Sequence, residues 1–155
     1  MKRMKRIIAF LAILALMMGC LGTAYAAAPD PDGTLASPTL SSYAVWLDPG
    51  DYRGELDISF EVTATGWADS LGVTYIEIYT ASNGELYDTV DGTKENGLKS
   101  SGVCYAYTYT YDGAIPGVEY YVLVSVFARI NPIFDSRALI TAPVKTPASP
   151  VRPVP

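Results

Sequence analysis

Histidine is absent from the 155 residues. That excludes Ser-His and Cys-His nucleophile pairs, imidazole acid–base catalysis and His-ligated zinc. Cysteine is nearly absent: Cys20 and Cys104 are the only two. Neither a Walker-type nor a dinucleotide-binding glycine loop occurs. Long apolar runs are missing as well. The one such stretch, residues 7–18, is shorter than the roughly 20 residues that span a bilayer as a helix. Positive charge is scarce beyond the first six residues, where Lys2, Arg3, Lys5 and Arg6 account for four of eleven basic side chains.

A basic start, a short apolar core and the small residues Ala24-Tyr25-Ala26 are the three parts of a secretory signal peptide. We therefore expect residues 1–26 to be removed and the product to be secreted. Gly19-Cys20 offers an alternative, lipoprotein-type cut that would leave a lipid anchor on Cys20. With the four leading cations gone, seven basic residues face sixteen acidic ones, a net charge of −9. Such a surface repels phosphate backbones, so nucleic acid is excluded as a partner, and no membrane span is expected after cleavage. Cys104 alone survives the cut and has no partner for an internal disulfide, so packing must hold the domain. Cys104 itself reads as a half-buried small apolar residue. Export without a disulfide fits a bacterial surface.

Past a Pro/Ser/Thr-rich leader at 27–42, short alternating segments take over. Strands are expected at 43–47, 56–64, 73–80, 85–90, 104–111, 119–129 and 137–144. Residues 56–64 are the clearest: Leu56, Ile58, Phe60, Val62 and Ala64 alternate with Asp57, Ser59, Glu61 and Thr63. Ser82-Asn83-Gly84 marks a hairpin turn, 91–102 a polar glycine-bearing loop, and Asn131-Pro132 a break. Seven short strands in residues 43–146 predict an all-β fold, a seven-stranded antiparallel sandwich of two sheets. A proline-rich tail follows at 147–155.

At 115–126 the chain resembles the sixth-strand region of a fibronectin type III domain, through Pro116, Gly117, Tyr120, Val122 and Val124. Residues 56–62 are similar to that family's second strand, with Phe60 or a neighbour where a Trp is usual, and Val144-Lys145-Thr146 to its last strand end. The resemblance spans 43–146 and extends to immunoglobulin-like sandwiches, as in small exported bacterial proteins. It implies a structural tyrosine corner at Tyr120. It implies no activity, because this architecture hosts many.

An enzyme would need paired carboxylates, Asp48 with Asp51 or Glu61 with Glu77, and any acidic β domain supplies such pairs on its wet faces. Asp30 to Gly33 and Asp48 to Asp51 read as turns rather than calcium loops. No cofactor is expected. Aromatics are the remaining signal, with eleven tyrosines past residue 26 plus Trp46 and Trp67. Tyr105, Tyr107, Tyr109 and Tyr111 occupy every second position and share one strand face. Burying that face removes more apolar area than burying Cys104, Ala106, Thr108 and Thr110, so the row is expected inward, with the Tyr105 and Tyr111 hydroxyls at the rim. The sequence thus points to a non-catalytic binding or adhesion module for an extracellular protein or glycan. Its candidate surface is Trp67, Lys94, Glu95, Asn96, Lys99, Tyr105 and Tyr107. The competing readings are a self-associating envelope protein that pairs through an edge strand, or a small carboxylate-dependent glycan hydrolase.

Overall fold

The computed structural model describes residues 37–153. The signal segment, Cys20, most of the leader and Asp30 to Gly33 lie outside the described residues. What is described is all β: β1 (Leu40–Pro49), β2 (Leu56–Thr80), β3 (Leu86–Asp91), β4 (Lys99–Tyr111), β5 (Glu119–Ile130), β6 (Ile133–Ile140) and β7 (Val144–Lys145). All pairings are antiparallel and join the seven strands into one hydrogen-bonded sheet.

β2 organises the molecule by changing partners along its length. Residues 56–63 lie between β1 and β4, with Phe60 opposite both Val45 and Tyr107. Residues 75–79 lie between β3 and β5, with Ile76 opposite Val90 and Val124. The β2–β4 register slips between Thr63 and Leu71, where the partners change. The expected strands 56–64 and 73–80 are therefore one strand of 25 residues. Gly72 stays paired with both Lys99 and Phe127 at φ +135°, and it approaches Leu98 so closely that a Cβ would stand 2.2 Å from its carbonyl oxygen, a place only glycine fills.

Period-two alternation puts Leu56, Ile58, Phe60 and Val62 on one side, all buried. They share a single core with Ile76 and Ile78 of β2 and with Tyr120, Val122, Val124, Val126 and Ala128 of β5. The chain end is arranged differently from expectation. Asn131-Pro132 is a two-residue turn that sends β5 straight into β6, Ile130 opposite Ile133, and the short β7 then pairs the start of β5. The expected strand at 137–144 is thus split between β6 and β7.

The 112–118 connection is tied down by side chains. Tyr120 is fully buried, and its hydroxyl accepts a hydrogen bond from the Ile115 amide at 3.1 Å. The Thr146 hydroxyl lies 2.8 Å from the Ile115 carbonyl oxygen, and the Thr146 amide donates to Val118 at 3.0 Å.

Candidate binding surface

The tyrosine row of β4 stands opposite the buried face of β2, Tyr105 level with Val62 and Tyr111 with Leu56. Tyr111 is buried, Tyr105 and Tyr109 are half-buried against the core, and Tyr107 is 40 % exposed. Phe60 meets Tyr105 edge-on at 5.8 Å. The Tyr111 hydroxyl donates to Asp88 at 2.6 Å. Burial pushes the hydroxyls of Tyr105, Tyr109 and Tyr111 above the ordinary phenol value, and at Tyr111 the bond to Asp88 adds to the rise.

The loop between β3 and β4 closes over this row. The Tyr105 hydroxyl donates to the Gly97 carbonyl at 2.6 Å, and a Cβ on Gly97 would stand 2.5 Å from the Tyr107 ring. Asn96 shapes the loop by accepting from the Thr93 and Leu98 amides and donating to the Asp91 carbonyl. Asn96, Tyr105 and Tyr107 are therefore brought together, but with the tyrosines beneath the loop. Lys94 and Glu95 project from it; the Glu95 carboxyl is held below its usual range by its own amide and the Thr93 hydroxyl. Lys99 leaves the group, opening β4 and placing its ammonium 5.7 Å from the Phe127 ring centre. Trp67 is 71 % exposed and sits in the irregular stretch of β2, away from the loop's contacts.

The outer face of β1, β2 and β4 is a different kind of surface. Trp46 is level with Ser59, and Ser59 with Thr108, across three adjacent strands. Ser59 and Thr108 share a hydrogen bond of 2.8 Å, and Thr110 donates to Asp57 at 2.7 Å. Around Trp46, which is 50 % exposed, the same face carries Ala44, Ala106, Asp48, Asp57 and Glu61. Cys104 belongs here too: it is a free, exposed thiol opposite Thr63, not half-buried as expected, because the opposite parity of β4 faces the core. Trp46 lies outside the surface expected from the sequence, yet its exposure follows from alternation with Tyr43, Val45 and Leu47.

The carboxylates considered for catalysis fall in different settings. Asp51 lies in the β1–β2 turn, whereas Asp48 pairs across to Asp57. Glu61 is flanked by Ala44 and Ala106, and Glu77 by Thr89 and Leu123, on parts of β2 with different neighbours. Glu77 accepts from the Tyr79 hydroxyl at 2.8 Å, which raises that phenol. Among the described residues no group of three or more Cys, Asp or Glu side chains is arranged to hold a metal ion. Compared with known proteins, the chain matches no family model, no curated protein and no solved structure.

Proposed function

We propose that the chain is an exported, non-catalytic module that binds glycan at a bacterial surface or outside the cell, through the outer face of β1, β2 and β4. One observation carries this reading: a half-exposed Trp46 set among short hydroxyl-bearing and small side chains, with Asp48, Asp57 and Glu61 around it. An indole stacks on the apolar face of a sugar ring, and short neighbours leave that approach open. Carboxylates and hydroxyls beside it accept and donate hydrogen bonds to sugar hydroxyls. A basic ligand-binding stripe is missing, which favours a neutral glycan over a phosphorylated one.

The same reading takes the fold as a two-layer sandwich related in form to fibronectin type III domains. It is supported by the partner exchange along β2, by the single core shared between its two sets of partners, and by the Tyr120 hydroxyl closing back on Ile115. Export rests on the amino-terminal pattern of residues 1–26.

Trp46→Ala tests the surface, with Trp67→Ala as its control. Screening against immobilised neutral polysaccharides is expected to find one that retains the chain. Trp46→Ala should weaken retention roughly tenfold or more without lowering the unfolding midpoint, and Trp67→Ala should leave it intact. Retention that survives Trp46→Ala, or a chain that binds no glycan, rejects the reading.

A further inference from the structure

We propose that β6 pairs with β6 of a second copy of this chain, antiparallel about a twofold axis at Ser136, joining two molecules into a continuous sheet. β6 pairs only β5 among the described strands, so its other edge meets no strand; at its centre the Ser136 amide and carbonyl are bonded within the chain, to the Asp135 carboxylate and the Arg137 guanidinium, and pairing exchanges those bonds for strand-to-strand ones. Along that strand Ile133, Asp135, Arg137 and Leu139 share the side of the buried residues Val124, Val126 and Ala128, while Phe134, Ser136, Ala138 and Ile140 face outward.

Two charged residues on the inward side select the register. Residues directly opposite in an antiparallel pair must share a face, so the axis moves one residue at a time. With the axis at Ser136, Asp135 of each copy stands opposite Arg137 of the other, giving two reciprocal ion pairs. Ile133 then meets Leu139 and Phe134 meets Ala138. Moving the axis to Arg137 sets two guanidinium groups against each other, and moving it to Asp135 does the same to two carboxylates. Only one register is electrostatically complementary.

The isolated chain leaves part of this pair unused. Asp135 Oδ1 takes both the Arg137 Nη1 and the Ser136 amide, whereas Asp135 Oδ2 is the buried side-chain polar atom without a hydrogen-bond partner among the described residues. Arg137 spends Nη1 on Asp135 and on the Ser136 carbonyl; its Nε and Nη2 have no bond to the described residues. A second strand in this register sets the other copy's guanidinium opposite this carboxylate, which turns out of its buried position to meet it. The apolar side chains at this edge are also exposed, with Ile133, Phe134 and Ile140 open to solvent. The chain's overall negative charge opposes association elsewhere, so a contact with its own opposite charges is favoured there. This pairing is independent of the glycan reading, since Trp46 lies on β1, and either can fail without the other.

Charge reversal tests both pairing and register. The full precursor is expressed, recovered as the cell processes it, and measured by sedimentation velocity. At about 50 µM the unaltered chain is expected at twice the monomer mass. Asp135→Lys and Arg137→Glu each create two like-charge contacts in the proposed register, and each should weaken dimerisation roughly a hundredfold. An equimolar mixture of the two should recover a heterodimer, because Lys at 135 then faces Glu at 137, and Arg137 faces Asp135. Should either reversal fail to fold by circular dichroism, Asp135→Asn and Arg137→Gln are expected to weaken the dimer about tenfold. An unaltered chain that stays monomeric to about 500 µM overturns the proposal and makes the pair a guard against edge association. Variants that dimerise like the unaltered chain, or folded reversals that remain monomeric when mixed, overturn it as well.

Discussion

Tyr111 shows what one phenol at the end of a strand does for this fold. It lies opposite Leu56, is almost fully buried, and donates a hydrogen bond to Asp88 of β3, so it links β4 to a strand it does not pair with. Burial and the Asp88 carboxylate hold its pKa above the ordinary phenol value of about 10. The folded state therefore keeps the proton at a pH where the unfolded chain releases it. A raised acid of this kind stabilises fully below about pH 10 and loses that contribution as pH rises further. Tyr105 and Tyr109 are raised in the same direction by burial, so alkaline unfolding should be steep. Tyr111→Phe is expected to lower stability by about 1 kcal/mol at neutral pH through the lost hydrogen bond. It should also make the alkaline slope shallower by up to about one proton. Urea unfolding at a series of pH values reads both effects: the two curves should converge above about pH 10, and parallel curves would show that Tyr111 does not titrate with folding.

At the scale of elements, the alternation of 56–64 was legible because one whole face is core and the other is wet. The same parity held in β4 and β5, so the inward direction of the tyrosine row was readable too. Where a strand stops is decided by contacts between distant segments, and there the sequence was silent. Gly66 and Trp67 fall between two expected strands, yet β2 runs through them and pairs β4 on both sides of them. Asn131-Pro132 looks like an end, yet Ile130 and Ile133 pair across it. The loop seated on Tyr105 and Tyr107 was equally hidden, since it depends on Gly97 at φ +76°, eight residues before Tyr105. Gly97→Ala tests that seat. A side chain there must adopt an unfavourable φ and displace the Tyr107 ring, so at least about 1 kcal/mol of stability should be lost. Hydrogen exchange should quicken at 92–98 and at 104–108 together. A stable variant with unchanged exchange would mean the loop adapts and the tyrosines do not depend on it.

At the scale of the whole molecule, the described part of the proline-rich tail is fastened to the sheet. The Arg53 amide donates to Pro150 at 2.7 Å and the Gly54 amide to Pro147 at 3.0 Å, fastening the chain end to the turn between β1 and β2. Arg152 completes the attachment, reaching Glu55 Oε1 through Nε at 2.9 Å and Nη2 at 2.8 Å, with its guanidinium 5.1 Å from the Tyr52 ring centre. The asymmetry of exposure decides what this contact means. Glu55 has a side chain only 4 % exposed, whereas Arg152 is largely in solvent, so the tail supplies the cation that a buried carboxylate needs. Deleting residues 147–155 strands that carboxylate and leaves two turn amides without acceptors, and the urea midpoint should fall with little change in slope. Arg152→Met should give a smaller fall, since the backbone bonds remain. Glu55→Gln separates a charge effect from simple loss of contacts by reversing its sign between backgrounds. In the full chain it removes the ion pair and should destabilise, whereas in the truncated chain it removes a stranded charge and should restore part of the midpoint. The same loss in both backgrounds would show that Arg152 does not neutralise Glu55 and that the tail holds by backbone bonds alone.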